Sequence, residues 1–277
     1  MACYDAHRNL TTTMKRINWE RRIARAEDLA ARTPAAAEVL NFYRRVLGLQ
    51  QQIAEGYLAQ ASPGDSSTNF RDQLDVDYAL RWMPATLELM AKHAPSRLAE
   101  ESQRIGEVDA EAQREMLAKF VKQADDELEA PSCFAARVIW QPCAEVLAAQ
   151  RPVPAGFAGA KCPVCGAKPQ FAVLRPEGDG GKRHLACSFC VSEWEFRRLL
   201  CPACGEEEHV KLPRFTPEEP IAVRVEACDT CKHYLKSFDM TVDGLLVPEV
   251  DEMATVALDA WAAKQGYRKI QLNLMGF

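Results

Sequence analysis

Four Cys-x-x-Cys pairs, Cys162/Cys165, Cys187/Cys190, Cys201/Cys204 and Cys228/Cys231, stand close together in a chain of 277 residues. They follow a repeat, since Cys162 to Cys201 is 39 positions and Cys187 to Cys228 is 41. A module of about 40 residues therefore occurs twice. Each copy opens on Cys-Pro-x-Cys-Gly and closes on a plain pair, CSFC in the first and CDTC in the second. This spacing constrains the fold more than composition does, because two distant pairs can meet at one ion only if the chain between them turns back on itself.

The residues between the pairs supply that turn. In the first copy QFAVL (170–174) and RHLAC (183–187) flank PEGDGG, and in the second HVKLPRF (209–215) and IAVRVEAC (221–228) flank TPEEP. Each copy reads as a β-hairpin whose ends bring two pairs of thiolates together. The glycine after each opening pair has a physical reason, because a cysteine turn this sharp favours positive φ there. Backbone N–H groups in such turns point at the sulfurs and stabilise their charge.

Catalytic dithiol and disulfide chemistry fit less well. A redox Cys-x-x-Cys stands singly at a strand-to-helix junction, where the helix terminus lowers a thiol pKa, whereas these four lie on turns between short strands. The expectation is two tetrahedral metal sites paired in sequence, Cys162, Cys165, Cys187 and Cys190 in one and Cys201, Cys204, Cys228 and Cys231 in the other. An interleaved cross-brace remains open. Zinc and iron both accept four sulfurs, so one ion of either kind per site is expected. In a module this small the ion also supplies folding energy, on the order of 10 kcal/mol for zinc.

Composition limits the function. With 48% hydrophobic residues the chain can bury a full core. Its net charge is −5, and residues 162–240 hold 11 Lys or Arg against 12 Asp or Glu. Two four-thiolate sites, each near −2 with a divalent ion, make that half anionic, which counts against a nucleic-acid partner. The first twenty residues lack the apolar core of a secretory signal, and no apolar run has the length of a membrane span, so a cytoplasmic protein without membrane insertion is expected. There thiols stay reduced.

Before the cysteines the sequence is helical. Val39, Tyr43, Val46, Ile53 and Tyr57 recur at helical spacing after an N-cap and first-turn proline at Thr33-Pro34. Further helices are expected near 74–93, 110–124 and 132–150, with Pro84 and Pro142 starting or kinking segments. The pattern breaks at RPVPAGFAGAK, residues 151–161. The expected organisation is α+β: a helical bundle over 1–150, a linker over 151–161, rubredoxin-like or zinc-ribbon hairpin modules over 162–200 and 201–245, and a C-terminal helix and tail over 246–277. That last helix should run 250–264, with Met253, Val256, Ala257, Ala260 and Trp261 on one face and Gly266 as its stop.

The other candidates have plainer readings. Cys3 lies in an unpatterned terminus, and Cys133 and Cys143 are small hydrophobes in helical segments. His184, His209 and His233 flank the pairs, but eight thiolates already complete two sites. PEGDGGKRH lies between strands and lacks phosphate-loop spacing. No catalytic constellation stands out, so an enzyme is not indicated. Trp194, Phe196, Tyr234 and Phe238 are candidates for partner contact, with burial against the hairpins as the alternative.

The run RHLACSFCVSEWEFRRLLCPACG, then VEACDTCKHYLKSF and the late ALDAWAAKQGYRKIQLNLMGF, resembles the formate dehydrogenase accessory protein family, FdhE. The resemblance covers 162–277 strongly and the helical half loosely. It implies a cytoplasmic assembly factor for respiratory formate dehydrogenase that acts on the immature catalytic subunit before export, with rubredoxin-like folds whose cysteines bind metal. The alternatives are a rubredoxin-like electron carrier and a zinc-ribbon adaptor.

Overall fold

Side-chain caps and prolines decide where the helices of the first half begin. The structure, a computed structural model, describes residues 17–60, 69–122, 130–218 and 222–277. Helix α1 is Trp19–Arg32, and α2 is Ala37–Gln60, entered through a 3₁₀ turn at Pro34–Ala36. Thr33 holds the N-cap position there, but its side chain makes no capping hydrogen bond. The segment expected as one helix over 74–93 is two, α3 Val76–Arg81 and α4 Met83–His93. Asp75 caps α3 by accepting from the N–H groups of Asp77 and Tyr78, and Pro84 sits in the first turn of α4 after the break at Trp82. Then come α5 Ser96–Glu107, α6 Ala110–Val121 and α7 Ala130–Ala148. Residues 123 and 124 of the expected 110–124 helix lie outside the described residues.

The described chain divides into two compact units, one running to Glu27 and from Asn41 to Pro152, the other taking Asp28–Leu40 and Val153–Phe277. In the helical unit α7 is buried on nearly every side, as a central helix must be, and packs against α4, α5 and α6. Two of its polar side chains are paired across the unit: Trp140 Nε1 donates to the Leu117 carbonyl at 3.1 Å, and Glu145 Oε2 takes Arg22 at 2.7 Å with both side chains buried. Tyr43, Val46, Ile53 and Tyr57 are buried and Val39 is half-buried, as their spacing predicts. Cys143 is buried and Cys133 half-buried.

The second unit carries one sheet. Its strands are β1 Pro169–Glu177, β2 Gly180–Cys187, β3 Glu193–Glu195, β4 Arg214–Phe215, β5 Val223–Ala227, β6 His233–Asp239 and β7 Arg268–Lys269. They run in the order β3-β2-β1-β6-β5-β4, with β7 also on β6. The first hairpin is longer than its sequence suggests, because most of PEGDGG pairs and only Gly178 and Asp179 turn, Gly178 at φ +55°. The second is shorter: residues 209–211 form a 3₁₀ turn, and Pro213, which has no N–H to give a ladder, leaves only Arg214 and Phe215 as strand. Glu219, Pro220 and Ile221 of the expected turn and strand lie outside the described residues.

The two repeats share one core. Parallel pairing of β1 with β6 sets Phe171 opposite Lys236 and Val173 opposite Phe238. Phe171, Val173 and Ala186 of the first repeat pack with Val223 and Phe238 of the second, the two phenylalanine rings edge to face at 5.5 Å. Neither hairpin is large enough to enclose such a core alone. Trp194, Phe196, Tyr234 and Phe238 are each no more than 4% exposed, Phe238 in this core and Tyr234 in a second one with Val225, Ala227 and Tyr267. They are core residues and offer no partner surface, which corrects the contact reading.

The C-terminal helix is also two: α8 Pro248–Ala254 and α9 Val256–Lys264, broken at Thr255. The break has a chemical cause, for the Lys236 ammonium on β6 donates to the Glu252 carbonyl at 2.6 Å and the Thr255 carbonyl at 3.4 Å. The buried face matches the expected one only in part: Met253 is buried and Val256 and Trp261 are half-buried. Ala257 and Ala260 are exposed, while Asp251, Glu252, Thr255 and Asp259 are buried. Gly266 ends α9 at φ +83°.

Candidate metal centres

Each cysteine pair is formed by the same turn. Gly166 N donates to the Cys162 carbonyl at 3.0 Å and Cys162 N to the Ala167 carbonyl at 2.8 Å. The bonds recur in the turn at Cys201, with Gly205 and Glu206, and in the turn at Cys228, with Lys232 and His233. Around Cys187 the return bond is Cys187 N to the Ser192 carbonyl at 3.0 Å. The residue after the second cysteine must enter the left-handed region in all four: Gly166 at φ +75°, Val191 at +57°, Gly205 at +79° and Lys232 at +58°. Glycine meets this demand without strain; Val191 and Lys232 meet it against their own preference.

These turns aim backbone donors at sulfur. Val164 N lies 3.4 Å from Cys162 Sγ, and Phe189 N and Cys190 N lie 3.3 and 3.4 Å from Cys187 Sγ. At Cys228 burial works against the thiolate, and the N–H groups of Cys231 and Thr230 outweigh it to hold the thiol below its usual range.

The eight cysteines gather as the repeat predicts. Cys162, Cys165, Cys187 and Cys190 form one group and Cys201, Cys204, Cys228 and Cys231 the other, all sulfurs of a group lying within 4.8 Å of one another. Pairing is sequential, and the cross-brace does not occur. Cys162 and Cys190 sulfurs are 3.6 Å apart and Cys165 and Cys187 3.3 Å; the second group gives 3.8 Å for Cys201 and Cys231 and 3.7 Å for Cys204 and Cys228. A disulfide needs about 2.05 Å. A tetrahedron with metal–sulfur bonds of about 2.3 Å has edges of about 3.8 Å, so the donor set fits a four-sulfur ion. Electrostatics agree. In the first group burial pushes Cys187 and Cys190 well above the usual thiol range, while hydrogen bonds from its neighbouring thiols hold Cys162 below it. In the second burial pushes Cys201 up to about 11. A cation would lower the cost of ionising the raised thiols.

None of the three histidines enters either group. His184 Nδ1 lies 3.2 Å from the Lys182 carbonyl and His233 Nδ1 3.0 Å from the Cys231 carbonyl, while His209 is exposed.

The same unit also holds a cluster that the sequence did not announce. Lys236 and Lys269 face Glu252 and Asp259 with all four side chains buried. Asn273 Nδ2 donates to Glu252 at 2.6 Å and the Tyr234 hydroxyl to Asp259 at 2.8 Å. The signal that could have found it is the spacing of Glu252, Thr255 and Asp259 on one helical face, opposite a lysine at an inward position of a strand.

Two four-sulfur groups on tandem hairpins, in a chain of mixed helix and sheet, define a metal-binding protein of the zinc-ribbon kind. Residues 161–198 match the model described as FdhE, central domain, and residues 199–275 that described as FdhE, C-terminal domain. These two matches take in residues 161–275, the part of the chain that carries both sulfur groups. A protein FdhE homolog of Aquifex aeolicus is 38% identical over 117 residues, 42% of this chain and 41% of that protein, so this match spans about two fifths of the relative's length. A homolog of Pseudomonas putida is 27% identical over 93% of this chain and 86% of its own. The crystal structure of the FdhE protein from Pseudomonas aeruginosa shares the fold, with a TM-score of 0.68, 24% identity and coverage of 92% of this chain and 94% of that one.

Proposed function

We propose that this chain is an accessory factor in the maturation of respiratory formate dehydrogenase, acting in the cytoplasm on the immature catalytic subunit and catalysing nothing itself. The observation that carries the reading is the coincidence of both sulfur groups with the two FdhE domains over residues 161–275. Cys162, Cys165, Cys187 and Cys190 hold one ion, and Cys201, Cys204, Cys228 and Cys231 the other, each iron or zinc. What these residues do is mechanical. Each ion fixes two turns of one sheet, and the joined sheet presents a rigid surface whose shape depends on the ions, because folding and metal binding are linked.

Formate oxidation in a strain lacking this chain tests the reading. The expected result is catalytic subunit present but inactive, activity restored by the intact chain and not by Cys165→Ser or Cys228→Ser, and the subunit copurifying with the tagged protein. Normal activity in that strain, with no catalytic subunit copurifying, overturns it.

A further inference from the structure

The two centres repeat one geometry but differ in what covers them. All four sulfur-bearing residues of the first are buried; in the second Cys201 and Cys228 are buried, Cys204 is exposed and Cys231 half-buried. The cause lies in the residues between the cysteines. In CSFC, Ser188 and Phe189 are buried over the group, whereas in CDTC, Asp229 and Thr230 stand in solvent. In the opening pairs Val164 is half-buried and Ala203 exposed. The same centre also borders a small cavity of about 30 Å³ that reaches Cys201 and Cys228 and is lined by Arg183, Arg198, Arg214 and Glu226. Arg183 is buried and paired with Glu226 at 2.8 Å. Arg198 and Arg214 are exposed, and their charge favours the approach of an anionic donor.

We infer that the second centre is exchangeable and the first is closed: Cys201, Cys204, Cys228 and Cys231 give up or take up their ion in exchange with anionic thiol or carboxylate donors, while Cys162, Cys165, Cys187 and Cys190 keep theirs. A competing donor reaches the second group at Cys204, where a departing sulfur can take a proton from water. At the first group Phe189 and the other buried turn residues exclude both donor and water. The inference rests on the reading that both groups hold metal, and it divides their labour between a structural site and an accessible one.

The test uses the full chain loaded with zinc under exclusion of oxygen. Ions per chain are counted by native mass spectrometry, then followed during exposure to excess EDTA and, separately, glutathione. Iodoacetamide labelling with peptide mapping reports which cysteines are freed. The expected course is loss of one of the two ions in a first phase, with label appearing at Cys204 and Cys231 while the cysteines from Cys162 to Cys190 stay protected. Two ions leaving in a single phase, or label appearing first at Cys162, Cys165, Cys187 or Cys190, overturns the inference and leaves the metal reading standing. Fewer than two ions in the loaded chain overturns both.

Discussion

Lys236 Nζ and Asp259 Oδ2 lie 2.6 Å apart, joining β6 to α9 where both side chains are sealed from water. The pair is half of a balanced set, for Lys269 bridges Asp259 at 3.0 Å and also contacts Glu252, which Lys236 meets at 3.2 Å. Lys269 further donates to the Phe277 carbonyl at 3.1 Å, so the cluster ties the last residues to the strand that follows the fourth cysteine pair.

Lys236→Met should therefore cost about 3 kcal/mol or more, since one negative charge is left buried without its partner. Restoring the balance with Lys236→Met/Asp259→Leu should cost less than the single change. Denaturant unfolding of the metal-loaded proteins measures both, and a single variant within about 0.5 kcal/mol of the parent would refute the account.

Acid should act on the same cluster. Burial raises the Glu252 carboxyl, but the Lys236 and Lys269 ammoniums and the Asn273 amide outweigh it and hold it down to about 2 from an ordinary 4.5. Burial also draws the Lys236 ammonium down, against the pull of Glu252 and Asp259. A carboxyl lowered on folding gives stability that is present above its unfolded pKa and is lost as pH falls through the folded one. The loss belongs to the window from about 4.5 to about 2. Both proteins carry the same sulfur groups, so comparing Glu252→Gln with the parent isolates this contribution: unfolding free energy should fall less steeply across the window in the variant, and equal slopes would refute it.

The cysteines were legible because metal geometry fixes their spacing, and the repeat gave their pairing. The helical half was legible in outline, through the periodicity of residues such as Tyr43 and Ile53 and the prolines at 34 and 84. The joining of the repeats was not, because parallel pairing of Phe171 and Lys236 across β1 and β6 is a long-range contact with no local signature. Nor was the buried cluster. Glu252 and Asp259 look like the solvent face of an amphipathic helix until Lys236, many residues away, turns that face inward. The aromatic residues near the cysteines drew attention as partner contacts for the same reason that they fill the core: they are the largest apolar side chains in two small hairpins.

Val191 carries the last prediction. Its place after CSFC corresponds to Gly166 after CPVCG and Gly205 after CPACG, and the turn demands positive φ at all three, +57°, +75° and +79°. A β-branched side chain in the left-handed region costs about 1–2 kcal/mol, because Cβ is driven towards the backbone carbonyl. Glycine removes that strain and adds back part of it as lost chain entropy, about 0.5–1 kcal/mol. Val191→Gly should thus stabilise the protein by about 1 kcal/mol and raise the melting temperature by roughly 2–4 °C. The other turns set the bounds of the comparison. Gly166→Val places the same strain where none exists and should destabilise by about 1 kcal/mol or more, while Lys232→Gly should gain less than Val191→Gly, since it also loses the Lys232 contacts with Asp229 at 2.7 Å and the Tyr267 ring at 5.4 Å. Calorimetry of the three zinc-loaded variants reads the order directly, and a Val191→Gly protein that melts below the parent would show that the valine side chain contributes more by packing than its backbone loses by strain.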